Sequence, residues 1–198
     1  MSWAPRLVIM AREPRAGAVK TRLARAIGAA PAAFVYRHLL ARTVRVLARD
    51  RRWRTVIAFT PSGAFARRTG TAAIAQGGGD LGARMDRLMR TLPPGPVVIV
   101  GTDIPRISAT DVARAFAALG SADAVFGPAA DGGYWLVGMK RRPRVRPIFA
   151  RVRWSSDHTL ADTLANCTGL DVVMLDERAD IDTGDDYRAF LAAGGLRL

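Results

Sequence analysis

The sequence predicts a largely parallel, three-layer α/β domain. Two observations carry that expectation. Short runs of branched apolar residues alternate along the chain with longer segments of helical periodicity. The runs are apolar at successive positions, as Val97-Val-Ile-Val100 shows, which suits strands buried on both faces of a sheet covered by helices. A length of 198 residues with 49% hydrophobic content can fill one sizeable core, so a single domain over residues 1–198 is expected.

The elements follow in order. Arg6–Ala11 reads as the first buried strand and Glu13–Gly17 as the loop leaving it. Ala18-Val-Lys-Thr-Arg-Leu23 comes next, where Gly17 permits close backbone approach and Lys20 and Arg22 bring charge to the usual place for phosphate recognition. The spacing is not that of a P-loop, and a surface loop that is merely basic fits the same residues. A helix from Pro31 to about Asp50 has a packing face that includes Phe34, Val35 and Leu39, with His38 as an interfacial histidine rather than a metal ligand. Thr55–Thr60 is a second strand, closed by Pro61-Ser-Gly63.

A short strand near Thr71–Ala75 leads to Gln76-Gly-Gly-Gly-Asp-Leu-Gly-Ala-Arg84 and a helix from about Asp80 to Thr91. The three glycines suit a mobile loop. Functionally, the Gln76 amide can pair with a nucleobase edge, and Gly82 would let that base lie on the backbone. After Pro93-Pro-Gly-Pro96 comes the Val97–Val100 strand, and Gly101 releases the chain where Asp103 begins the polar part. A carboxylate at a strand's carboxyl end can hold a divalent metal, although Gly-Thr-Asp-Ile-Pro also suits a simple turn. Ser108 opens a helix through Leu119 with Asp111 at the capping-box position.

Asp123–Gly127 is a further strand, and Gly127–Gly138 reads as a β-hairpin carrying Tyr134 and Trp135. Its turn, Asp131-Gly132-Gly133, places a carboxylate where it can take a proton or hold a sugar hydroxyl beside an aromatic wall. Trp154-Ser-Ser-Asp-His158 leads into a helix to about Asn166, and Leu170–Leu175 gives a last strand. In Asp180-Ile-Asp-Thr-Gly-Asp-Asp186, Thr183 and Asp186 suit a helix start, which leaves Asp182 free for another role.

Composition excludes several classes. No apolar stretch reaches the roughly 20 residues of a membrane span, and Met1–Met10 lacks the apolar centre of a signal peptide, so a cytoplasmic protein is expected. Cys167 is the only cysteine, which rules out an intrachain disulfide or a cysteine-based metal cluster. The charge of +13 invites a nucleic-acid reading, yet all basic residues except Lys20 and Lys140 are arginines scattered along the chain. No specific nucleic-acid partner is expected, and Lys140–Arg146 reads as a solvated loop.

Taken together, Pro14–Leu23, Gln76–Gly82, Gly101-Thr-Asp-Ile-Pro105, Gly127–Gly138, Trp154-Ser and Asp180-Ile-Asp-Thr183 resemble the bacterial GT-A-type glycosyltransferases, some linked to arsenosugar biosynthesis, that are related to molybdenum-cofactor and phospholactate guanylyltransferases. The resemblance spans nearly the whole chain. It implies the nucleotide-diphospho-sugar transferase fold, Rossmann-like with a mostly parallel mixed sheet. It implies Mg²⁺ or Mn²⁺ on Asp103 and Asp182, phosphates on Gly17, Lys20 and Arg22, and the base near Gln76 and Gly82. Asp131 would deprotonate or orient the acceptor, with Gly132, Gly133, Tyr134 and Trp154 forming the acceptor or sugar pocket. Many relatives have an acidic residue where this chain has Ala83. The expected partners are a nucleotide sugar, or a nucleoside triphosphate if the reaction is nucleotidyl transfer, and a small-molecule acceptor.

Overall fold

A computed structural model describes residues 3–61 and 69–195. Its centre is one seven-stranded sheet in the order β3-β2-β1-β4-β6-β5-β7. The strands are β1 (Arg6–Arg12), β2 (Arg54–Thr60), β3 (Ala72–Ala75), β4 (Val97–Val100), β5 (Ala124–Pro128), β6 (Tyr134–Met139) and β7 (Val172–Met174). Six helices are present among the described residues: α1 (Thr21–Ile27), α2 (Ala29–Leu47), α3 (Leu81–Thr91), α4 (Ala109–Ala118), α5 (Thr159–Ala165) and α6 (Gly184–Ala192). Ser62 and Gly63 of the expected turn lie outside the described residues.

β1 pairs in parallel with β2 and β4, β2 with β3 and β5 with β7, whereas β6 runs antiparallel to both β4 and β5. The mixed character comes from the expected hairpin: its short turn forces β6 to run back along β5, and β6 then fills the place between β5 and β4. All four residues of β4 are buried, because helices cover both faces. One core packs α2 and α4 against one face of the sheet through Leu40, Val44, Ile57, Val98 and Val112. The other packs α3 and α5 through Met85, Leu88, Met89, Phe126 and Leu164.

The sheet reverses its winding between β1 and β4: β2 and β3 lie on one side of β1 and all later strands on the other. In open α/β sheets a crevice opens at that switch point, beyond the strands' carboxyl ends. All three segments that reach it are locally determined. Lys20 caps α1 in the left-handed conformation, φ 50°, so Ala18–Leu23 is half loop and half helix rather than the open loop expected. Ser108 and Asp111 close a reciprocal capping box that starts α4 just beyond Asp103, and Thr183 and Asp186 do the same for α6 just beyond Asp182.

Candidate active site

Three segments distant in sequence converge on the crevice. β1 delivers Lys20, β4 delivers Asp103, and the chain returning from β7 delivers Asp180 and Asp182. The return is stitched on by backbone bonds: Arg178 N–H donates to Pro128, and Ile181 N–H donates to the Asp103 carbonyl at 3.2 Å. Ile181 is buried against Leu23, Val35 and Tyr187, so the alternate residues Asp180 and Asp182 face the other way. Tyr36 braces the floor. Its hydroxyl accepts from Arg12 N–H at 2.8 Å and contacts the Thr102 hydroxyl at 3.4 Å, and burial pushes the phenol up to about 12.

The resulting cavity holds about 360 Å³ and is lined by Asp103, Asp131, Asp180 and Asp182, with Arg22 at its edge. The Lys20 ammonium sits 2.8 Å from Asp103 and 3.6 Å from Asp182, and Arg22 donates to the second Asp182 oxygen at 2.9 Å. Lys20 is nearly enclosed, its side chain 4% exposed, whereas the Asp103 side chain is 43% exposed. The buried cation is therefore held by carboxylates that still face solvent. Asp180 is pushed up to about 6, first by burial and next by the Asp131 carboxylate, with Asp103 adding and Lys20 opposing. The cavity is thus crowded with acidic groups that its own cations only partly balance.

Asp131 stands on the hairpin turn, where it accepts the Gly133 N–H at 2.9 Å. Gly132 has φ +84° and no room for a side chain against the Asp157 backbone, and its carbonyl accepts from Leu160 N–H. The turn is thereby docked onto the start of α5. Gly133, Tyr134, Trp154, Ser155, Ser156 and Thr159 complete this side of the cavity. The Tyr134 ring meets Phe126 edge-on, and burial pushes its phenol up.

Two expected nucleotide contacts are corrected. Gln76 is 3% exposed, and its amide N–H groups donate to the Ala11 and Ala58 carbonyls at 3.0 and 2.8 Å. Both donors are spent tying β1 to β2, so this side chain does not face a base. Gly82 packs α3 against Trp154 and the Phe149 carbonyl, where any side chain would clash, so it serves helix packing instead of a base platform. Gly17 lies outside the cavity lining in an exposed turn with φ +77°. Asp180, Ser155, Ser156 and Thr159 were not expected. The Asp180-Ile-Asp182 alternation was a readable signal for Asp180, since residues two apart share a face of an extended segment.

The implied divalent metal is tested by the donor set. Asp103 and Asp182 already converge on one cation, the Lys20 ammonium, and offer only oxygen, which suits Mg²⁺ or Mn²⁺. Among the described residues no three acidic, His or Cys groups are arranged as a complete metal site, so remaining ligands must come from substrate and water. The residues fit an ion that arrives with phosphates.

The fold is that of the nucleotide-diphospho-sugar transferases. A provisionally assigned nucleotide-diphospho-sugar transferase from Desulfovibrio desulfuricans G20 matches at a TM-score of 0.89 and 29% identity, covering 96% of this chain and 87% of that one. The chain belongs to DUF2064, a family of uncharacterized proteins conserved in bacteria, whose match spans residues 43–156. The manganese complex of Rv0371c from Mycobacterium tuberculosis H37Rv shares the fold at a TM-score of 0.55 and 17% identity, over 96% of this chain and 99% of that one. A CMP:2-keto-3-deoxy-manno-octonic acid synthetase complexed with CTP does so at a TM-score of 0.58 and 13% identity, over 96% of this chain and 99% of that one. No curated protein matches the sequence. Among the described residues no helix is long and apolar enough to cross a membrane.

Proposed function

We propose that the protein is a metal-dependent glycosyltransferase that moves a sugar from a nucleotide-sugar donor to a small-molecule acceptor. One observation carries this reading: Lys20, Arg22 and four carboxylates gather at the switch-point cavity, cations on the β1 side and acids around them. Lys20 and Arg22 donate to the donor's phosphates, which carry the charge that builds as the nucleoside diphosphate leaves. A divalent ion held by Asp103 and Asp182 would add further neutralisation of that charge. Asp131 accepts the proton of the acceptor hydroxyl. That oxygen bonds to the sugar's anomeric carbon as the bond from that carbon to the phosphate oxygen breaks. Trp154 and Tyr134 offer apolar faces to a sugar ring, and Ser155, Ser156 and Thr159 offer hydroxyls.

A second reading is nucleotidyl transfer, supported by the shared fold with a synthetase that binds CTP. There the same cations hold a triphosphate, and an oxygen of a phosphorylated acceptor attacks the α-phosphorus with pyrophosphate leaving. A thermal-shift screen of nucleoside diphosphates, triphosphates and nucleotide sugars, each with and without Mn²⁺ or Mg²⁺, separates the two. Metal-dependent stabilisation by one nucleotide sugar is the expected result. Stabilisation confined to a triphosphate selects nucleotidyl transfer, and no stabilisation by any nucleotide overturns both.

A further inference from the structure

Lys20 holds an unusual position for a phosphate-binding lysine. Its ammonium does not reach out from the loop but lies between Asp103 and Asp182, deeper than either carboxylate. Although it is 2.8 Å from Asp103 Oδ1, that buried oxygen has no aligned hydrogen bond, so the contact is Coulombic more than directional. The residue is also held at φ 50°, a backbone state that is strained for a residue with a side chain and persists only where surroundings enforce it. Asp182 has a second cation in Arg22, whereas among the described residues Asp103 pairs with Lys20 alone.

We propose that Lys20 is an exchangeable place-holder, occupying in the nucleotide-free protein the position between Asp103 and Asp182 that a divalent metal takes when nucleotide binds. The inference rests on the metal-dependent nucleotide reading above. Its consequence is that metal and nucleotide bind synergistically. The two carboxylates and the Lys20 and Arg22 cations already balance in charge. A metal arriving alone must either displace Lys20, leaving an ammonium buried without an anion, or sit beside it against like-charge repulsion. A nucleotide arriving alone brings phosphates to a cavity that also presents Asp131 and Asp180. When both arrive, the metal takes the carboxylates and the phosphates take the lysine and arginine, so every charge has a partner. The exposed faces of Asp103 and Asp182 give the metal an approach that does not require the core to open.

The test compares Mn²⁺ binding, read by the electron paramagnetic resonance signal of the free ion, in wild type, Lys20→Met and Arg22→Gln without nucleotide. Lys20→Met is expected to bind Mn²⁺ about ten-fold more tightly than wild type, within the ordinary range of coupling between sites. Its melting temperature should fall in metal-free buffer and recover with Mn²⁺, while wild type responds little to Mn²⁺ alone. Calorimetry with ADP, GDP, CDP and UDP in turn should show Mn²⁺ improving the affinity of the preferred nucleotide at least about ten-fold in wild type and much less in Lys20→Met, since the coupling is reciprocal. Should Lys20→Met not fold, Arg22→Gln, which strips Asp182 of its exposed cation, is expected to tighten Mn²⁺ about three-fold. Mn²⁺ binding equally tight in wild type and variants overturns the place-holder role and leaves the metal site standing. No Mn²⁺ binding in any variant, with or without nucleotide, overturns the metal reading and this inference together.

Discussion

Lys20 and Arg141 are both basic residues in left-handed backbone, φ 50° and 62°, and both sink their charge into the protein, yet they are held by opposite chemistry. Arg141 donates to backbone carbonyls alone: Gly95 at 2.7 Å, Leu92 at 3.1 Å, Met89, and Pro93. These oxygens lie at the end of α3 and in the turn after it, so the guanidinium satisfies carbonyls that the helix leaves open and complements its dipole. Burial, with the nearby Arg6 charge, draws the Arg141 pKa down. Lys20 is held by carboxylates at the edge of a cavity. A cation caged by neutral dipoles is a staple, and its removal leaves unsatisfied carbonyls. A cation caged by acids is a place-holder, and its removal leaves a site for another cation.

The largest expected effect falls on the acids. Asp103→Asn should weaken Mn²⁺-dependent nucleotide binding by more than about 100-fold by calorimetry, since loss of outer-shell partners alone costs a metal site 10- to 100-fold. Arg141→Ala should cost about 2–4 kcal/mol in denaturant unfolding, because four carbonyls, three of them in partly buried bonds, lose a charged donor. Its nucleotide affinity below the transition should match wild type. An affinity loss comparable to that of Asp103→Asn would break the division between staple and site. Asp180→Asn removes one of the crowded acids, so its metal-free melting temperature should rise by about 2–4 °C, the equivalent of about 1 kcal/mol once solvent screening of this half-buried group is allowed for. A fall would mean that the Asp180 charge is needed to hold the Lys20 side of the cavity together. The smallest effect is on Cys167, whose thiol burial pushes up to about 11. The thiolate forms only as pH rises toward that value, so a thiol reagent at pH 8 should label the native protein slowly and the unfolded protein at once. Rapid native labelling would show that this part of the α5 core opens readily.

What could be read from sequence was local. The β4 run, Gly101 and Asp103 announce a buried strand that ends on a carboxylate, and both capping boxes are written in the spacing of Ser108 with Asp111 and Thr183 with Asp186. The hairpin was legible in its Asp-Gly turn. What could not be read depends on strand order. Lys20 meets Asp103 only because β4 docks beside β1, and no local pattern encodes that neighbour. Gln76 is polar and follows glycine-free strand β3 into a Gly-rich loop, so it looks available to ligand, but tertiary packing turns its amide onto two backbone carbonyls. Gly82 is read correctly as a close approach and wrongly as to partner, since the approach is to Trp154. Asp180 was obscured by the helix cap that follows it, which accounts for the acidic run without using its first member.

The most direct test is a crystal structure with Mn²⁺ and the nucleoside diphosphate that calorimetry selects, with the ion located by its anomalous scattering. The expected result is an anomalous peak bound by Asp103 and Asp182, with the Lys20 ammonium moved from between them onto the phosphates. A peak elsewhere, or nucleotide bound with Lys20 still bridging the two carboxylates, would contradict it.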